Sequence, residues 1–388
     1  MEREIYLDNS ATTRISEEAL KKYVTVSREC WGNPSSLHAM GFSAEGELRA
    51  ARESLIRSLG AVGSTVVFTA SGSEANNLAI IGRATSKERY KRGAKIVTTM
   101  GEHASVSKPL EYLSSQGYKV AYIPTAGGEI DMEALERELT PDVILVTMMM
   151  VNNETGALYD TAAVGKMMRR KCPDAALHVD ATQSYMKIPF TKATSGADMI
   201  TVSSHKIEGP KGVGALIIDK EIMKKRDISP MVLGGGQEGG LRSGTENVPG
   251  VAAFGEAIRI AEKNLRGNYA LVKGLRDYLI ERLESDALDV SITKPKKAAP
   301  HILNITLPKI KSETMLHFLS SYGIYVSSGS ACSSNSAHTS SALVAFGRSA
   351  EEADYSIRIS FSHRNTRDDA DALVDALKVG LEKLSRVK

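Results

Sequence analysis

The sequence predicts an α/β protein in which helices cover both faces of a mostly parallel sheet, followed by a smaller α+β unit. Strand-like runs alternate with helical patterns between residues 60 and 220, and this alternation is typical of parallel sheets. A glycine-rich stretch at 234–250 ends the alternation. Beyond it, one long helical pattern runs from 251 to about 285, and shorter strands and helices are mixed in the remainder.

Each predicted strand is a run of apolar or β-branched residues, and a helical pattern separates it from the next. The strands are predicted at 64–69, 95–99, 119–123, 143–149, 177–180, 199–202 and 213–218. Helices between them are predicted at 74–92, 105–116, 131–139 and 162–171. We place a domain boundary inside the long helix, near residue 260. A large domain would then span 16–260, and a smaller α+β domain would combine 1–15 with 261–388.

Composition favours a cytoplasmic protein with a large core. The chain has 388 residues, of which 42% are hydrophobic, and a formal net charge of +3 from interspersed charges, so neither nucleic acid nor an anionic membrane is indicated. No apolar run approaches the roughly 20 residues that span a bilayer. The charged N-terminus is unlike a signal peptide. Cys30, Cys172 and Cys332 form no CxxC pair, which predicts neither a disulfide framework nor a metal site.

Two predicted strands end in polar groups, at 178–183 and 201–206. The carboxyl ends of strands are where α/β sheets place their chemistry. An amine, a carboxylate and an amide delivered there suit pyridoxal phosphate. Lys206 would form the Schiff base, Asp180 would hold the pyridinium nitrogen protonated, and Gln183 could reach the phenolic oxygen. The alternative is a surface lysine and a helix-capping aspartate.

The segment 68–77 passes from a strand through small residues into a helix, where free N–H groups and the helix dipole bind phosphate. Gly72 would let the anion approach the backbone, and the Ser73 hydroxyl can donate to it. The alternative is simple capping, because Ser71 with Glu74 three residues later forms a capping-box pattern. The run GGGQEG at 234–239 matches a dinucleotide pattern, but no helix-forming stretch follows directly, so we reject that interpretation.

Two other strand ends carry candidate groups. His103 follows the strand at 95–99, where an imidazole could stack on a cofactor ring and transfer protons. Asn153 follows the strand at 143–149 and could bind the cofactor's phenolic oxygen or a substrate carboxylate. The alternatives are an ordinary loop histidine and an asparagine-rich turn.

The C-terminal part of the chain adds a thiol and a guanidinium. Cys332 lies in a run of Gly, Ser and Ala with little to pack against, which favours a reactive thiol over a buried one. Arg358 alternates with apolar neighbours in a strand-like run, so it needs an anionic partner. A bidentate clamp on a substrate carboxylate and a structural ion pair fit this pattern equally well.

Together these segments resemble the cysteine desulfurases of the NifS/IscS-like group, within the class V aminotransferase-like enzymes of fold type I, which are PLP-dependent. The resemblance runs nearly end to end. It includes Tyr6–Thr13 (YLDNSATT), 32–36 (GNPSS), 152–156 (NNETG), 178–183, 203–206 with 209–212 (GPKG), 242–245 (RSGT) and 327–332.

The resemblance implies a role for each candidate. For the cofactor, it makes Lys206 the Schiff-base lysine, Asp180 the partner of the pyridine nitrogen, Gln183 the ligand of the phenolic oxygen, and His103 the stacked histidine. It implies a phosphate cradle of Gly72, Ser73, Ser203 and His205, with Thr245 serving the other subunit of a homodimer. Asn153 and Arg358 would hold the substrate carboxylate, and Cys332 would receive sulfur.

The sequence departs from the family's pattern at two places. Residues 70–73 read Ala-Ser-Gly-Ser, where relatives often have Ser-Gly-Ala-Thr, and the Ser73 hydroxyl can replace that of threonine. Residues 335–341 lack the Glu-Pro-Ser-His/Tyr turn common in the family, so either the dynamics of this loop or its preferred sulfur acceptor is expected to differ. The spacing from Cys332 to Gly347 resembles the long-loop subgroup and favours the IscS-like over the SufS-like branch.

The resemblance implies conversion of L-cysteine to L-alanine, with the sulfur passed as a persulfide on Cys332 to proteins of iron–sulfur cluster assembly or of tRNA or cofactor thiolation. An aminotransferase or a β-lyase could use the same cofactor, but neither needs Cys332. A selenocysteine lyase is a further alternative. A scaffold that only binds acceptor proteins would need neither Lys206 nor Asp180. The sequence leaves open which acceptor is used and whether Cys30 or Cys172 has a role.

Overall fold

The computed structural model describes residues 4–86, 94–307, 310–328 and 340–384. The strands in these ranges are β1 Ile5–Tyr6, β2 Thr65–Thr69, β3 Lys95–Thr99, β4 Lys119–Ile123, β5 Val143–Met149, β6 Ala176–Asp180, β7 Met199–Ser203, β8 Gly214–Ile218, β9 Ser291–Thr293, β10 Ile302–Thr306, β11 Ile324–Tyr325, β12 Ser327–Ser328 and β13 Ser356–Ser360. The helices are α1 Glu17–Glu29, α2 Ala39–Ser58, α3 Gly72–Asn77, α4 Ala104–Ser115, α5 Met132–Glu138, α6 Thr161–Lys171, α7 Lys192–Ser195, α8 Lys220–Lys224, α9 Val248–Ser285, α10 Ser312–Ser321, α11 Ser341–Phe346, α12 Ala350–Asp354 and α13 Arg367–Leu384. The predicted sulfur-accepting residue, Cys332, lies outside the described residues. None of the helices in the described ranges has the length and apolarity needed to cross a bilayer.

The main sheet sets the position of the candidate site. Within the described ranges it has seven strands in the order β2-β8-β7-β6-β5-β3-β4. Strand β8 is antiparallel to both of its neighbours, β2 and β7. All the other neighbouring strands of this sheet are parallel to each other. The predicted mostly parallel sheet is therefore confirmed. Because β8 reverses direction between them, β2 and β7 run the same way, and the carboxyl ends of β2, β3, β5, β6 and β7 lie on one edge.

Both faces of this sheet are covered, as the near-continuous apolar runs of its strands predict. The neighbouring residues Ile96 and Val97 of β3 are both fully buried, yet they pack into two different hydrophobic clusters. Successive side chains of a strand point to opposite faces, so the two clusters lie on opposite sides of the sheet.

Helix α9 joins the main sheet to the C-terminal part of the chain. Its 38 residues run without interruption, and the Asn247 side chain caps the first turn by accepting a hydrogen bond from Gly250 N. Buried residues up to Ile258 pack into a cluster of the main sheet, whereas those from Val272 onward pack into a separate cluster with β10, β13 and α13. The domain boundary near residue 260 stays a prediction.

The N-terminal segment packs against this second cluster. β1 pairs in parallel with β11, so that Ile5 lies opposite Ile324. Ile5 and Leu7 are buried members of the second cluster. The first residues of the chain therefore lie beside its last strands.

The predicted helix at 74–92 differs from the observed segment. Helix α3 ends at Asn77, and the following stretch, Leu78–Gly82, is π-helical. Leu78, Ala79 and Ile80 are all buried in one cluster there. Three consecutive buried side chains do not fit the one-sided periodicity of an α-helix, and an apolar pattern alone does not reveal the wider turn.

Candidate active site

The carboxyl edge of the main sheet gathers the residues that the sequence singled out. Asp180 ends β6, and Lys206 ends a short 3-10 turn, Ser204–Lys206, directly after β7. His103 follows β3 as the N-cap of α4. Gly72 begins α3 after β2. The structure thus places the amine, the carboxylate and the imidazole at the ends of neighbouring or nearby parallel strands.

The Lys206 amine is held by the N-terminal segment. Its Nζ donates to the carbonyl of Ser10 at 2.6 Å and to that of Ala11 at 2.7 Å. The segment is fixed in turn, because Ser10 N donates to Ser360 Oγ at 2.8 Å and Thr13 N donates to the His205 carbonyl at 2.9 Å. The roles of the Ser10 and Ala11 carbonyls were not predicted, although both residues belong to the motif at Tyr6–Thr13.

Asp180 is fixed by two hydrogen bonds. Thr182 N donates to its Oδ1 at 2.9 Å, and Asn76 Nδ2 donates to its Oδ2 at 2.8 Å. The Asn76 amide also donates to Ser105 Oγ at 2.9 Å, and Ser105 Oγ lies 2.8 Å from His103 Nδ1. One asparagine from α3 therefore links the carboxylate to the imidazole. Sequence reasoning missed Asn76, although it stands two residues beyond the segment's cluster of small residues.

His103 is neutral and carries its proton on one particular nitrogen. Its Nδ1 accepts a hydrogen bond from Ser105 N at 3.1 Å, so the proton of the neutral ring lies on Nε2. Burial lowers the pKa of His103; Asp180 opposes this effect, whereas Lys206 and Arg358 add to it. Asp180, Lys206 and Arg358 therefore all lie close enough to the His103 ring to affect its pKa.

The residues predicted to hold phosphate form a cradle with a free hydroxyl. Ser203 Oγ is buried and has no hydrogen-bond partner among the described residues. A side chain at position 72 would come within 3.3 Å of both Ser203 Cβ and Thr182 Oγ1, so only glycine leaves this space open. Ser73 is exposed at the start of α3. An unpaired hydroxyl facing a helix start fits an anionic phosphate.

The remaining residue of the predicted cradle is His205, and Ser71 lies next to the cradle at the start of α3. His205 Nδ1 lies 3.1 Å from Thr12 Oγ1, and burial, with Lys206 and two further lysines, lowers the pKa of His205 to about 4. The ring is therefore neutral near pH 7. The capping interpretation of Ser71 is also confirmed, because its hydroxyl accepts a hydrogen bond from Glu74 N at 3.1 Å.

Both polar atoms of the Gln183 side-chain amide form hydrogen bonds. Its Nε2 donates to the Ser10 carbonyl at 2.9 Å, and its Oε1 accepts from Lys187 Nζ at 3.1 Å. The Ser10 carbonyl is thus shared by Gln183 and Lys206. Lys187 is one helical turn beyond Gln183, and sequence reasoning did not identify it.

Arg358 forms the ion pair that was one of its two predicted roles. Its Nη2 donates to Asp8 Oδ1 at 2.7 Å, and its Nη1 donates to the backbone carbonyl of Asn153 at 3.0 Å. Its Nε is buried without a hydrogen-bond partner in the described part of the chain. A substrate carboxylate held by Arg358 and by the Asn153 side chain stays a prediction.

The two ends of the segment that carries Cys332 lie beside this arginine. Ser327 of β12 pairs with Arg358 of β13. On the other side of the segment, Ser340 Oγ donates to Glu154, and burial raises the pKa of Glu154 to about 7, with Ser340 and Arg358 opposing the rise. Thr245 is exposed in the turn before α9, and its service to a second subunit stays a prediction.

Glu102, the residue before His103, carries a buried carboxyl group. Glu102 accepts hydrogen bonds from Thr99 Oγ1 and from Met149 N, the latter at 3.0 Å, and so links the ends of β3 and β5. Burial raises the pKa of Glu102 to about 8, although both hydrogen bonds lower it. The sequence offered a signal, a glutamate next to His103 at a strand end, but no measure of its burial.

We expect Glu102 to make stability depend on pH. Its pKa is about 4.5 in the unfolded chain and about 8 in the fold, so its contribution is complete below pH 4.5 and is lost as pH rises through 8. The loss is a few kcal/mol, since each pKa unit corresponds to about 1.4 kcal/mol. Urea unfolding at pH 5, 7 and 9 should show a flatter profile for Glu102→Gln than for the wild type. The control is Glu111→Gln, an exposed position on the following helix α4, and equal slopes for all three proteins would contradict the assignment.

Comparisons with known proteins agree with this geometry. The family model described as aminotransferase class-V matches residues 5–373. The chain is 36% identical over 380 residues to "Cysteine desulfurase IscS 1" of Archaeoglobus fulgidus, covering 98% of this chain and 97% of that protein. It is 35% identical to "Cysteine desulfurase IscS" of Dictyoglomus turgidum, with 100% and 97% covered.

Solved structures show the same relationship. A structure described as "NIFS-LIKE PROTEIN" matches with a TM-score of 0.89 at 35% identity, covering 99% of this chain and 100% of that one. "SspA in complex with cysteine" matches with a TM-score of 0.80 at 30% identity, covering 93% and 100%. The predicted resemblance is confirmed over nearly the full length. The chain belongs to the aminotransferase class-V family, in its NifS/IscS-like cysteine desulfurase group.

Proposed function

We propose that this chain is a pyridoxal-phosphate-dependent cysteine desulfurase, which converts L-cysteine to L-alanine and passes the sulfur through Cys332. The observation that supports this most strongly is the joint placement of Lys206, Asp180 and His103 at one sheet edge. Lys206 and Asp180 are each held by two hydrogen bonds, and partial burial lowers the pKa of His103. The structure of the relative named SspA contains cysteine, which supports the choice of substrate.

The chain's own residues fit the cofactor. Asp180 would hold a proton on the pyridine nitrogen, and His103 would stack on the ring. Ser203, Ser73, His205 and the backbone at Gly72 would bind the phosphate, with Gln183 on the phenolic oxygen and Thr245 from a second subunit. When bound, pyridoxal phosphate supplies an electron sink that stabilises negative charge at the substrate Cα.

Proton movements are assigned to two residues. The Lys206 amine would take the proton from Cα, because it lies at the sheet edge where the substrate would bind. His103 would donate a proton from Nε2, which the hydrogen bond at Nδ1 leaves available. Arg358 and Asn153 would orient the substrate through its carboxylate.

Cys332 would receive the sulfur as a persulfide. Its thiolate attacks the substrate sulfur, an S–S bond forms, and the Cβ–S bond breaks. The electron pair of that bond stays with Cβ, which takes up a proton, so L-alanine leaves. Cys332 is four residues beyond Ser328, a span of at most about 14 Å. Ser327, the residue before Ser328, pairs with Arg358, so this chain length would allow the thiol to reach a substrate held by Arg358.

A homodimer with shared active sites is part of the proposal. Large apolar side chains are exposed in two segments: Trp31 (69%), Leu37 (91%) and Phe42 (62%) in one, and Leu233 (80%) in the other. Exposed apolar groups of this size are typical of surfaces that a partner covers. Val232, next to Leu233, forms a β-bridge with Arg242, so the exposed Leu233 lies near the turn with Thr245. A partner that covered this surface would therefore lie close to the proposed phosphate ligand.

The wider setting is proposed on less direct grounds. We propose a large cofactor-binding domain at 16–260, a smaller domain at 1–15 and 261–388, and a cytoplasmic location, consistent with the free thiols Cys30 and Cys172 in the described part of the chain. The sulfur acceptors would be proteins of iron–sulfur cluster assembly or of tRNA or cofactor thiolation. The names of the relatives favour the first.

The product ratio tests the proposed reaction. Purified protein supplied with L-cysteine and a thiol reductant should release sulfide and L-alanine in a ratio of about one to one, because each Cβ–S cleavage yields one of each. Pyruvate with sulfide would instead identify a β-lyase, and a keto acid without sulfide would identify an aminotransferase. L-Selenocysteine, assayed in parallel, separates a desulfurase from a selenocysteine lyase.

A further inference from the structure

A second cavity lies behind Lys206, on the side of α9. It has a volume of about 440 Å³, within the usual range for small-molecule sites, and Lys206 lines one end of it. Its walls include Met186, Lys187, Ile260, His301 and Phe361. Asp180, His103, Ser203 and Gly72 do not line it, so the cavity adjoins the proposed cofactor site at Lys206 but does not include the residues that would hold the ring and the phosphate.

His301 is a buried side chain with hydrogen-bonding capacity to spare. The residue is 3% exposed, it directly precedes β10, and neither ring nitrogen has a hydrogen-bond partner among the described residues. Burial holds the pKa of His301 well below its usual range; Lys187 and Arg358 add to this, and a weak approach to the Gln183 backbone only slightly opposes it. The neutral ring therefore offers one donor and one acceptor to an occupant. A buried polar group without a partner is costly, and native proteins usually satisfy it.

Lys187 brings an incompletely paired amine to the same cavity. Gln183 Oε1 is its hydrogen-bond acceptor, at 3.1 Å. The acidic side chain on the facing wall, Glu208, is already bonded to Arg364 at 2.8 Å and lies 3.5 Å from His363. Glu18, the other acidic residue of the lining, is exposed on α1. The inner part of the cavity thus lacks an anion next to Lys187.

Part of the remaining wall is apolar, although Asn264 and Asn268 of α9 also line the cavity. Ile260, Ala261 and Val272 of α9 face the cavity together with Met186 and Phe361. This surface suits a hydrocarbon group and not a highly charged ligand.

Burial, with Lys206 and Arg358, holds the pKa of Lys187 well below its usual range, and a carboxylate beside the amine would favour its charged form. The other cations of the lining already have partners, because Arg364 is bonded to Glu208 and Lys206 to the Ser10 and Ala11 carbonyls. The single charge of a carboxylate therefore fits better than a phosphate dianion, which would need more cationic partners.

We propose that this cavity, here named the α9 cavity, binds a small carboxylate with an apolar tail. The carboxylate lies between Lys187 and His301, and the tail packs against α9. Lys187 donates to Gln183, Gln183 donates to the Ser10 carbonyl, and Lys206 donates to the same carbonyl. An occupant is therefore connected to Lys206 through three hydrogen bonds. The site goes beyond the proposed desulfurase reaction and does not depend on it.

Calorimetric titration of the cofactor-loaded protein, without cysteine, tests the proposal. The probes are acetate, butyrate and hexanoate at constant ionic strength. Each added pair of methylene groups should tighten binding roughly tenfold, as expected for burial of hydrocarbon. Lys187→Met and His301→Phe, which preserve size but remove the polar groups, should each weaken hexanoate binding at least tenfold. Absence of hexanoate binding by the wild type would overturn the proposal.

Two further variants distinguish hexanoate binding in the α9 cavity from binding in the substrate site. Ala261→Phe fills the cavity from α9 without changing a charge, and it should also abolish binding, even if a polar variant fails to fold. Arg358→Met removes the proposed substrate clamp and should leave hexanoate binding intact. Binding that survives Ala261→Phe but is lost in Arg358→Met would belong to the substrate site and would refute the α9 cavity. Because the readout is heat of binding, it is separate from any failure of the desulfurase assay.

Discussion

Replacing Lys206 by alanine is expected to lower kcat for alanine formation by roughly 10³-fold or more, the scale at which an essential acid–base group contributes. The variant lacks the amine that, in our proposal, would attach the cofactor and take the Cα proton. It also leaves the Ser10 and Ala11 carbonyls without their 2.6 Å and 2.7 Å donors. Initial rates measure the loss. Borohydride reduction followed by mass spectrometry should add the cofactor mass to wild-type protein but not to the variant.

A matched lysine makes this result specific. Lys225 is exposed in the same half of the chain, and Lys225→Ala should keep wild-type rates and the wild-type mass shift. Lys187 is the alternative candidate for attaching the cofactor, because it is a second lysine near the Ser10 carbonyl. Peptide mapping that finds the reduced cofactor on Lys187, or a Lys206→Ala variant with more than a tenth of the activity, would disprove the assignment of Lys206.

Replacing Cys332 by serine is expected to abolish release of both sulfide and alanine, with a fall of at least roughly 10²-fold, while the cofactor stays bound. A hydroxyl is not ionised at neutral pH and is a poor nucleophile toward sulfur, so the Cβ–S bond has no acceptor for its sulfur. The absorbance of bound pyridoxal phosphate near neutral pH should match that of the wild type. Labelling of the wild-type thiol after one turnover should detect one additional sulfur atom on Cys332.

The other two cysteines provide the comparison. Cys30 is partly exposed and lies 3.4 Å from Ser43 Oγ, and Cys30→Ser should retain full activity. Cys172 is 3% exposed, and burial raises its pKa, so its thiol is unreactive. If Cys332→Ser kept forming sulfide but released pyruvate, the persulfide route would be wrong, and elimination by a β-lyase would replace it.

The strand ends could be predicted from the sequence because their position follows from simple rules. Alternating strands and helices imply parallel strands, whose carboxyl ends meet on one edge. Polar groups after apolar runs at Asp180, His103 and Lys206 therefore had to converge. The Asp8–Arg358 ion pair was foreseen only as one of two alternatives, because a strand pattern shows that an arginine needs an anion but not which one.

The supporting contacts could not be predicted because they join distant parts of the chain. Asn76 reaches Asp180 across 104 residues, and Lys206 reaches the Ser10 carbonyl across 196 residues. Hydrogen bonds to backbone carbonyls leave no trace in residue type. His301 was missed for a related reason: only the surrounding packing reveals that a histidine is buried without a partner.

The N-terminal segment has a consequence for how the enzyme is made. The Ser10 carbonyl that holds Lys206 is positioned by a bond from Ser10 N to Ser360 Oγ, 350 residues later in the chain. Synthesis proceeds from the N-terminus, and contacts between distant residues form last. On the ribosome, the strands that bear Asp180 and His103 can therefore assemble well before the amine acquires its final support. A chain that has not yet reached Ser360 therefore cannot hold the Lys206 amine as the folded protein does.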